Sequence, residues 1–349
     1  MISHYSKTWI YDKNIFRVYE NIQSRLDKLS NWSYFRGGLS TNNDIILKKH
    51  CFQLSKGNKM GIGEWFSDFC SALIIRDTTV ALRYKRITKR LNIEYYNSES
   101  ETDHSIYVGS YGRNTAINST SDFDILFQLP FDVYKRFSQY ASNGQSALLQ
   151  DVKEKIEKTY RFTNIKADGQ VIVIPFDDGI TFELLPAFLN KDNSFTYPNA
   201  NNGGSWKTTD PKSEQEAMAA MNQATNGNLI RLCRMVRAWK NKNNVTIDGI
   251  LIDTLAYNFI SQWEYNKESY LYYDWMSRDF FQYLSNIDSN RSYWYAPGSN
   301  RCVYNSGYFQ YKAKQAYNTA LKAIEYADSK CEYSAKLEWR DIYGTDFPA

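Results

Sequence analysis

The chain has 349 residues, 43% of them hydrophobic and 16% aromatic, with a formal net charge of +4. That size and apolar content suffice for a sizeable core in one bilobal unit or two domains, and so small a basic excess makes no case for a large nucleic-acid partner. The widely spaced cysteines form no C-x-x-C pair and His4, His50 and His104 form no cluster, which argues against a disulfide framework and a zinc site. No apolar run reaches membrane-spanning length and the N-terminus lacks a signal-peptide core, so the expectation is a cytoplasmic protein with reduced thiols and no membrane partner.

Residues 1–59 follow no clean period: Trp9, Ile10, Ile15, Phe16 and Val18 are scattered, and Gly37-Gly38 with Ser40 to Asn43 read as loop. This stretch is set apart as an N-terminal extension of unknown role. Its deletion is expected to leave a soluble, active protein; an insoluble or inactive truncated chain would place it in the core. From Glu64 the pattern becomes helical, with Trp65, Phe66, Phe69, Cys70, Leu73 and Ile74 in one stripe. Asp77-Thr78 can cap a second helix whose apolar face is Val80, Tyr84, Ile87 and Leu91, with Arg83, Lys85, Arg86, Lys89 and Arg90 on its solvated faces.

The stretch Tyr107 to Leu129 carries the chemistry. Ile106 to Val108 and Ile125 to Phe127 are short apolar runs of strand type, separated by Gly109-Ser110, a polar segment and Ser121-Asp122-Phe123-Asp124. Two residues apart on a strand is the same face, so Asp122 and Asp124 project together while Phe123 and Ile125 point the other way. Side-by-side carboxylates repel unless a cation is present, and a hard divalent ion with oxygen ligands removes the conflict. Gly109 lets the backbone approach a phosphate closely and Ser110 adds a hydroxyl donor.

Gly109-Ser110-Tyr-Gly-Arg113-x-Thr115 followed by Ser121-Asp122-x-Asp124-Ile resembles the signature of the polymerase-β-like nucleotidyltransferases. More narrowly it resembles the bacterial relatives of cyclic GMP-AMP synthase and oligoadenylate synthetase known as CD-NTases, with weaker likeness over roughly residues 60 to 280. The resemblance implies an α+β fold, bilobal, with a polymerase-β-like sheet lobe and a mostly helical second lobe. It also implies that Gly109, Ser110, Arg113, Thr115 and Ser121 lie at a nucleotide-binding site, and that the helix beginning near Thr78 is the long one joining the lobes.

Further on, Pro130-Phe-Asp reads as a strand stop, and Asn143 to Lys158 as a helix. Val171 to Phe176 and Ile180 to Leu185 flank Asp177-Asp178-Gly179 as a hairpin. A carboxylate within an apolar strand is costly unless paired or metal-bound, so Glu183 is read as the third carboxylate. Many relatives have Asp there, which leaves open whether Glu183 binds metal or acts chiefly as base. Residues 190–209 read as loop. Asp210-Pro211 starts a helix and marks the boundary between a catalytic lobe, 60–209, and a helical lobe, 210–349. Within Leu229 to Lys240, Leu232, Met235, Val236 and Trp239 make a buried stripe beside Arg231, Arg234 and Arg237. This run resembles the oligoadenylate synthetase helix that carries a triphosphate-binding Lys, with Arg237 at that position and Lys240 one turn on. Ile250 to Ile260, Tyr270 to Phe281 and Gln310 to Lys330 read as helices, and 286–308 as loop.

The implied reaction is Mg²⁺-dependent nucleotidyl transfer with two ions on Asp122, Asp124 and Glu183, Mn²⁺ being the alternative metal. Its expected substrates are nucleoside triphosphates, ATP and GTP. The expected product is a cyclic purine di- or trinucleotide, a second messenger for antiphage defence read by a separate effector protein, with a regulatory protein as a further partner. A linear oligonucleotide synthase, a protein- or RNA-modifying nucleotidyltransferase and a catalytically silent nucleotide sensor are the alternatives; three carboxylates stand against the last.

Overall fold

The computed structural model describes residues 61–76 and 78–349. The expectations for residues 1–59 and for Asp77 as a cap lie outside the described residues. A first helix, α1, runs through residues 61–72 and is followed by α2 (Thr78–Tyr96), whose buried face includes Val80, Tyr84, Ile87 and Leu91 as the spacing predicts. After β1 (Ser105–Tyr107) comes a single helical turn, α3 (Gly109–Gly112), and then β2 (Asp122–Gln128). Next are α4 (Phe131–Ser138), α5 (Gly144–Glu157), β3 (Lys166–Asp168), β4 (Val171–Pro175) and β5 (Thr181–Leu189). Strand order is β1-β2-β5-β4-β3, with β2 and β5 parallel and the other neighbours antiparallel.

This sheet has two unlike faces because its strands alternate. Phe123, Ile125, Phe127, Ile172, Ile174, Phe182 and Leu184 pack with α2 and with Leu148, Leu149, Val152 and Ile156 of α5 in one core cluster. Each such large apolar side chain contributes about 1.5–3 kcal/mol on burial. The residues between them, Asp122, Asp124, Val173 and Glu183, fall on the opposite face and keep solvent exposure. Packing on one side therefore forces the carboxylates out on the other.

Residues 190–209, expected as loop, contain β6 (Phe195–Asn199) and β7 (Ser205–Thr209), an antiparallel pair joined to β5. The Asn- and Gly-rich tip is its turn: Asn202, Gly203 and Gly204 all have positive φ, at 56°, 86° and 92°. Likewise 286–308 holds β8 (Tyr293–Tyr295) and β9 (Cys302–Tyr304), in which Trp294 and Val303 are buried while the flanking Tyr293, Tyr295 and Tyr304 are exposed. Pro130-Phe-Asp ends β2 as expected but also opens α4.

The second half is helical. Asp210 caps α6 (Pro211–Ala224) as predicted, its carboxylate accepting from Ser213 N at 3.1 Å with Pro211 at the first helical position. There follow α7 (Asn228–Asn243), α8 (Gly249–Ile260), α9 (Tyr273–Ser285), α10 (Gln310–Asp328) and α11 (Glu332–Tyr343). Their core contains Leu232, Met235, Trp239, Leu255, Phe281 and Trp339, and it also takes in Trp65, Phe66, Phe69, Cys70 and Leu73. The α1 segment, expected with the catalytic lobe, thus packs with the helical half. Ile74, expected in the same stripe, lies beyond the end of α1 and is exposed. The described residues fall in one compact unit, and no helix among them is long and apolar enough to cross a membrane.

Candidate functional site

Strand register assembles the carboxylates. In the parallel β2–β5 pair Asp124 stands opposite Glu183 and Asp122 opposite Thr181. The Ser121 carbonyl accepts from Thr181 N at 2.8 Å and so starts this register, while Ser121 itself is exposed. Asp122, Asp124 and Glu183 consequently share one open face. Among the described residues no three His, Cys, Asp or Glu side chains close into a metal cage. Their proximity shows in their electrostatics. Burial raises the Asp124 carboxyl above the ordinary range, with Arg113 pulling it down and Asp122 pushing it up. Burial also raises Glu183, and Asp124, Asp122 and Asp168 all push the same way. The face holds more negative charge than it can comfortably ionise, which is the condition a divalent cation relieves.

The Gly109 turn lies directly against this face. Gly109 has φ +59°, and a Cβ built there would overlap Asp124 Oδ2. Only glycine lets the main chain come so near the carboxylate. Val108 N donates to the Asp124 carbonyl at 2.9 Å, which pins the turn to β2. Gly109→Ala is expected to cost about 1–2 kcal/mol for the left-handed backbone alone and to displace the Asp124 carboxylate; denaturant unfolding of the variant checks the first, and its activity the second. Ser110, next in the turn, is partly exposed.

The remaining predicted ligands go elsewhere. Arg237 is 7% exposed, and its guanidinium grips Asp253 of α8 through Nη1–Oδ1 at 2.6 Å and Nη2–Oδ2 at 2.9 Å, with the Gly249 carbonyl accepting at 3.0 Å. The Arg237 guanidinium, expected at a triphosphate, is thus engaged by Asp253 and the Gly249 carbonyl inside the protein. The same holds for two signature residues. Arg113 Nε donates to Asp253 Oδ2 at 2.9 Å and its Nη1 to Glu214 Oε2 at 3.3 Å, and fully buried Thr115 donates to Asp253 Oδ2 at 3.0 Å. They face the helical half rather than the open face. Arg234 binds Asn114 Oδ1 at 2.7 Å, Arg231 binds Tyr273 OH at 3.3 Å, and Lys240 is half-buried on α7.

Sequence reasoning missed Asp253 and Glu214. For Asp253 the signal was present: a lone aspartate in the apolar run Ile250 to Ile260, the same kind of anomaly that drew attention to Glu183. Burial alone would raise the Asp253 carboxyl, but Arg237 and Arg113 outweigh it and hold it below the ordinary range.

Residues 60–222 match the family model for the Second Messenger Oligonucleotide or Dinucleotide Synthetase (SMODS) domain. A probable cyclic nucleotide synthase of Bacillus cereus (strain VD146) is 26% identical over 179 residues, 48% of this chain and 52% of that relative. The match spans about half the length of this curated relative. Among solved structures, a chain of the E. coli MS115-1 CdnC:HORMA-deltaN complex has a TM-score of 0.57 at 15% identity, covering 82% of this chain and 98% of that one. The Bradyrhizobium diazoefficiens CD-NTase CdnG in complex with GTP has a TM-score of 0.56 at 12% identity, covering 81% and 95%. At these identities the structures establish the shared fold, a polymerase-β-like bilobal α+β architecture as the signature implied. Over residues 60–222 the chain is therefore similar to the SMODS domain, in keeping with the CD-NTase resemblance of its signature.

Proposed function

We propose that the chain is a cyclic oligonucleotide synthase that joins nucleoside triphosphates, ATP and GTP, into a cyclic purine di- or trinucleotide. The observation that carries this reading is the register of Asp124 with Glu183, which places three carboxylates on one open face beside the Gly109 turn. The donor set fits Mg²⁺: oxygen ligands only, crowded enough that burial and mutual repulsion raise Asp124 and Glu183. Asp122, Asp124 and Glu183 would hold it. When bound, divalent metal supplies Lewis-acid activation of an attacking hydroxyl and neutralises charge on the leaving pyrophosphate.

The chain's own residues do the rest. Gly109 brings main chain within reach of donor phosphate oxygens, and the Ser110 hydroxyl can donate to them. Lys240 is the remaining candidate cation on α7. Glu183, beside Asp124 and raised above the usual carboxylate range, suits either the metal set or the removal of the hydroxyl proton. Glu183→Asp is expected to retain activity and Glu183→Ala to lose it, measured as product per enzyme; an active Glu183→Ala enzyme would move the third carboxylate elsewhere.

With one carboxylate site on the described sheet, both bonds of a ring are made there in turn, the linear intermediate rebinding for the second transfer. We also propose that the product is a second messenger in cytoplasmic antiphage defence, acting through a separate effector. The CdnC chain's occurrence with a HORMA protein is the ground for proposing a regulatory protein partner here. The sheet half carries the site, and the helical half from Asp210 onward backs it. Labelled triphosphates incubated with the full chain, Mg²⁺ and no acceptor test the activity. A phosphatase-resistant small product supports it. Transfer of label to protein or RNA would favour the modifying-enzyme alternative.

A further inference from the structure

The turn carrying Gly109 and Ser110 is fastened from behind. The Gly109 carbonyl accepts from Arg113 N at 3.2 Å and the Ser110 carbonyl from Thr115 N at 2.8 Å. The side chains of both capping residues then end on one atom, Asp253 Oδ2, in the middle of α8. Arg237 of α7 holds that carboxylate from its other side. A second arm runs through Glu214 of α6: its Oε2 accepts from Arg113, and its Oε1 accepts from Arg301 Nε at 2.6 Å and Ser299 Oγ at 3.0 Å on the β8–β9 connection. The neighbouring Gln215 donates to the Tyr107 carbonyl, immediately ahead of the turn, at 2.8 Å. Three helices and a hairpin tip thus converge on the back of the turn.

Burying this many charges needs a reason. Deep ion pairs can often be exchanged for apolar packing without loss of stability, so stability alone does not account for the buried run Arg237–Asp253–Arg113–Glu214, which Arg301 closes from the surface. What a guanidinium fork adds is fixed angle as well as distance. A phosphate held by the turn must meet groups on Asp122 and Asp124 within a fraction of an ångström, and supporting hydrogen bonds supply that placement. We propose that Asp253 and Glu214 are positioning residues for the Gly109–Ser110 turn, acting through Arg113 and Thr115, so that the helical half sets where a donor triphosphate lies against Asp122 and Asp124. This rests on the nucleotidyl-transfer reading above.

A misplaced but still bound triphosphate lowers turnover more than binding, so the effect falls on kcat. Removing Asp253 would strand two guanidiniums in the interior and unfold the protein, so the test uses the other arm. Glu214→Gln keeps the shape of the side chain and removes its charge; Arg301→Ala and Arg301→Lys act two contacts from the turn, where the Arg301 side chain is 46% exposed. Steady-state kinetics with ATP, GTP and Mg²⁺ are read beside hydrogen exchange of the full chain. Glu214→Gln is expected to lower kcat about 10–100-fold with KM little changed and to speed amide exchange in residues 107–116 selectively. Arg301→Ala should show a smaller version of both effects, and Arg301→Lys should restore them. Wild-type kcat and exchange in Glu214→Gln would overturn the proposal, as would faster exchange spread evenly through the molecule. If the unmutated chain forms no nucleotidyl product, the functional reading fails, while the exchange pattern alone still decides whether Glu214 holds the turn.

Discussion

Replacing Asp122 and Asp124 together by Asn is expected to abolish product formation while leaving the protein folded. A bound metal supplies several kcal/mol of transition-state stabilisation, and about 1.4 kcal/mol is a factor of ten in rate, so the fall should reach about 10³-fold or more. Folding should not suffer. Both side chains lie on the face of β2 opposite Phe123 and Ile125, and neither supplies a packing contact to that core. Asp124 and Glu183 already repel one another without a cation, so removing two of the charges should leave the metal-free melting temperature equal or higher. A double variant that unfolds would mean the carboxylates hold the sheet; one that turns over near the wild-type rate would remove them from the chemistry.

The second large effect concerns stability. Arg237→Ala is expected to destabilise the fold by about 3–5 kcal/mol, because it leaves Asp253, 0% exposed, with a buried charge that has lost one of its two guanidinium partners. Arg237→Lys should recover little, since an ammonium cannot reproduce the two parallel contacts to both carboxylate oxygens. Denaturant unfolding measures the loss. A variant of wild-type stability whose only defect is a raised KM for nucleoside triphosphate would return Arg237 to the phosphate site that the sequence suggested.

The contrast between Arg237 and Glu183 shows what the sequence could disclose. Strand alternation fixes which side of the sheet a residue faces, and the period-2 pattern through Asp122, Phe123, Asp124 and Ile125 was enough to put the carboxylates together. A carboxylate in the apolar run around Glu183 was equally visible, and the β4–β5 hairpin followed from its turn residues. For Arg237, helical periodicity gave a face but not its neighbour. That face meets α8, and only the tertiary contact shows that its charge is consumed by Asp253. Arg113 and Thr115 illustrate the same limit, since a signature residue can serve the turn from behind as well as the ligand in front. The hairpins β6–β7 and β8–β9 were hidden because their polar, Gly-rich tips outweigh short strands of three to five residues in any local reading. The α1 helix was legible as a helix, but the aromatic partners of its Phe66, namely Tyr273, Trp339, Tyr343 and Phe347, lie far along the chain, and its stripe could not say which half it joins.

We propose that this face makes cyclic oligonucleotides. The most direct test is mass spectrometry of the products formed by the purified full chain with ATP, GTP and Mg²⁺, before and after phosphatase. A phosphatase-resistant cyclic purine oligonucleotide is expected from the wild-type protein and none from the Asp122→Asn, Asp124→Asn double variant. Only linear chains from the wild type, or the same cyclic product from the double variant, would contradict it.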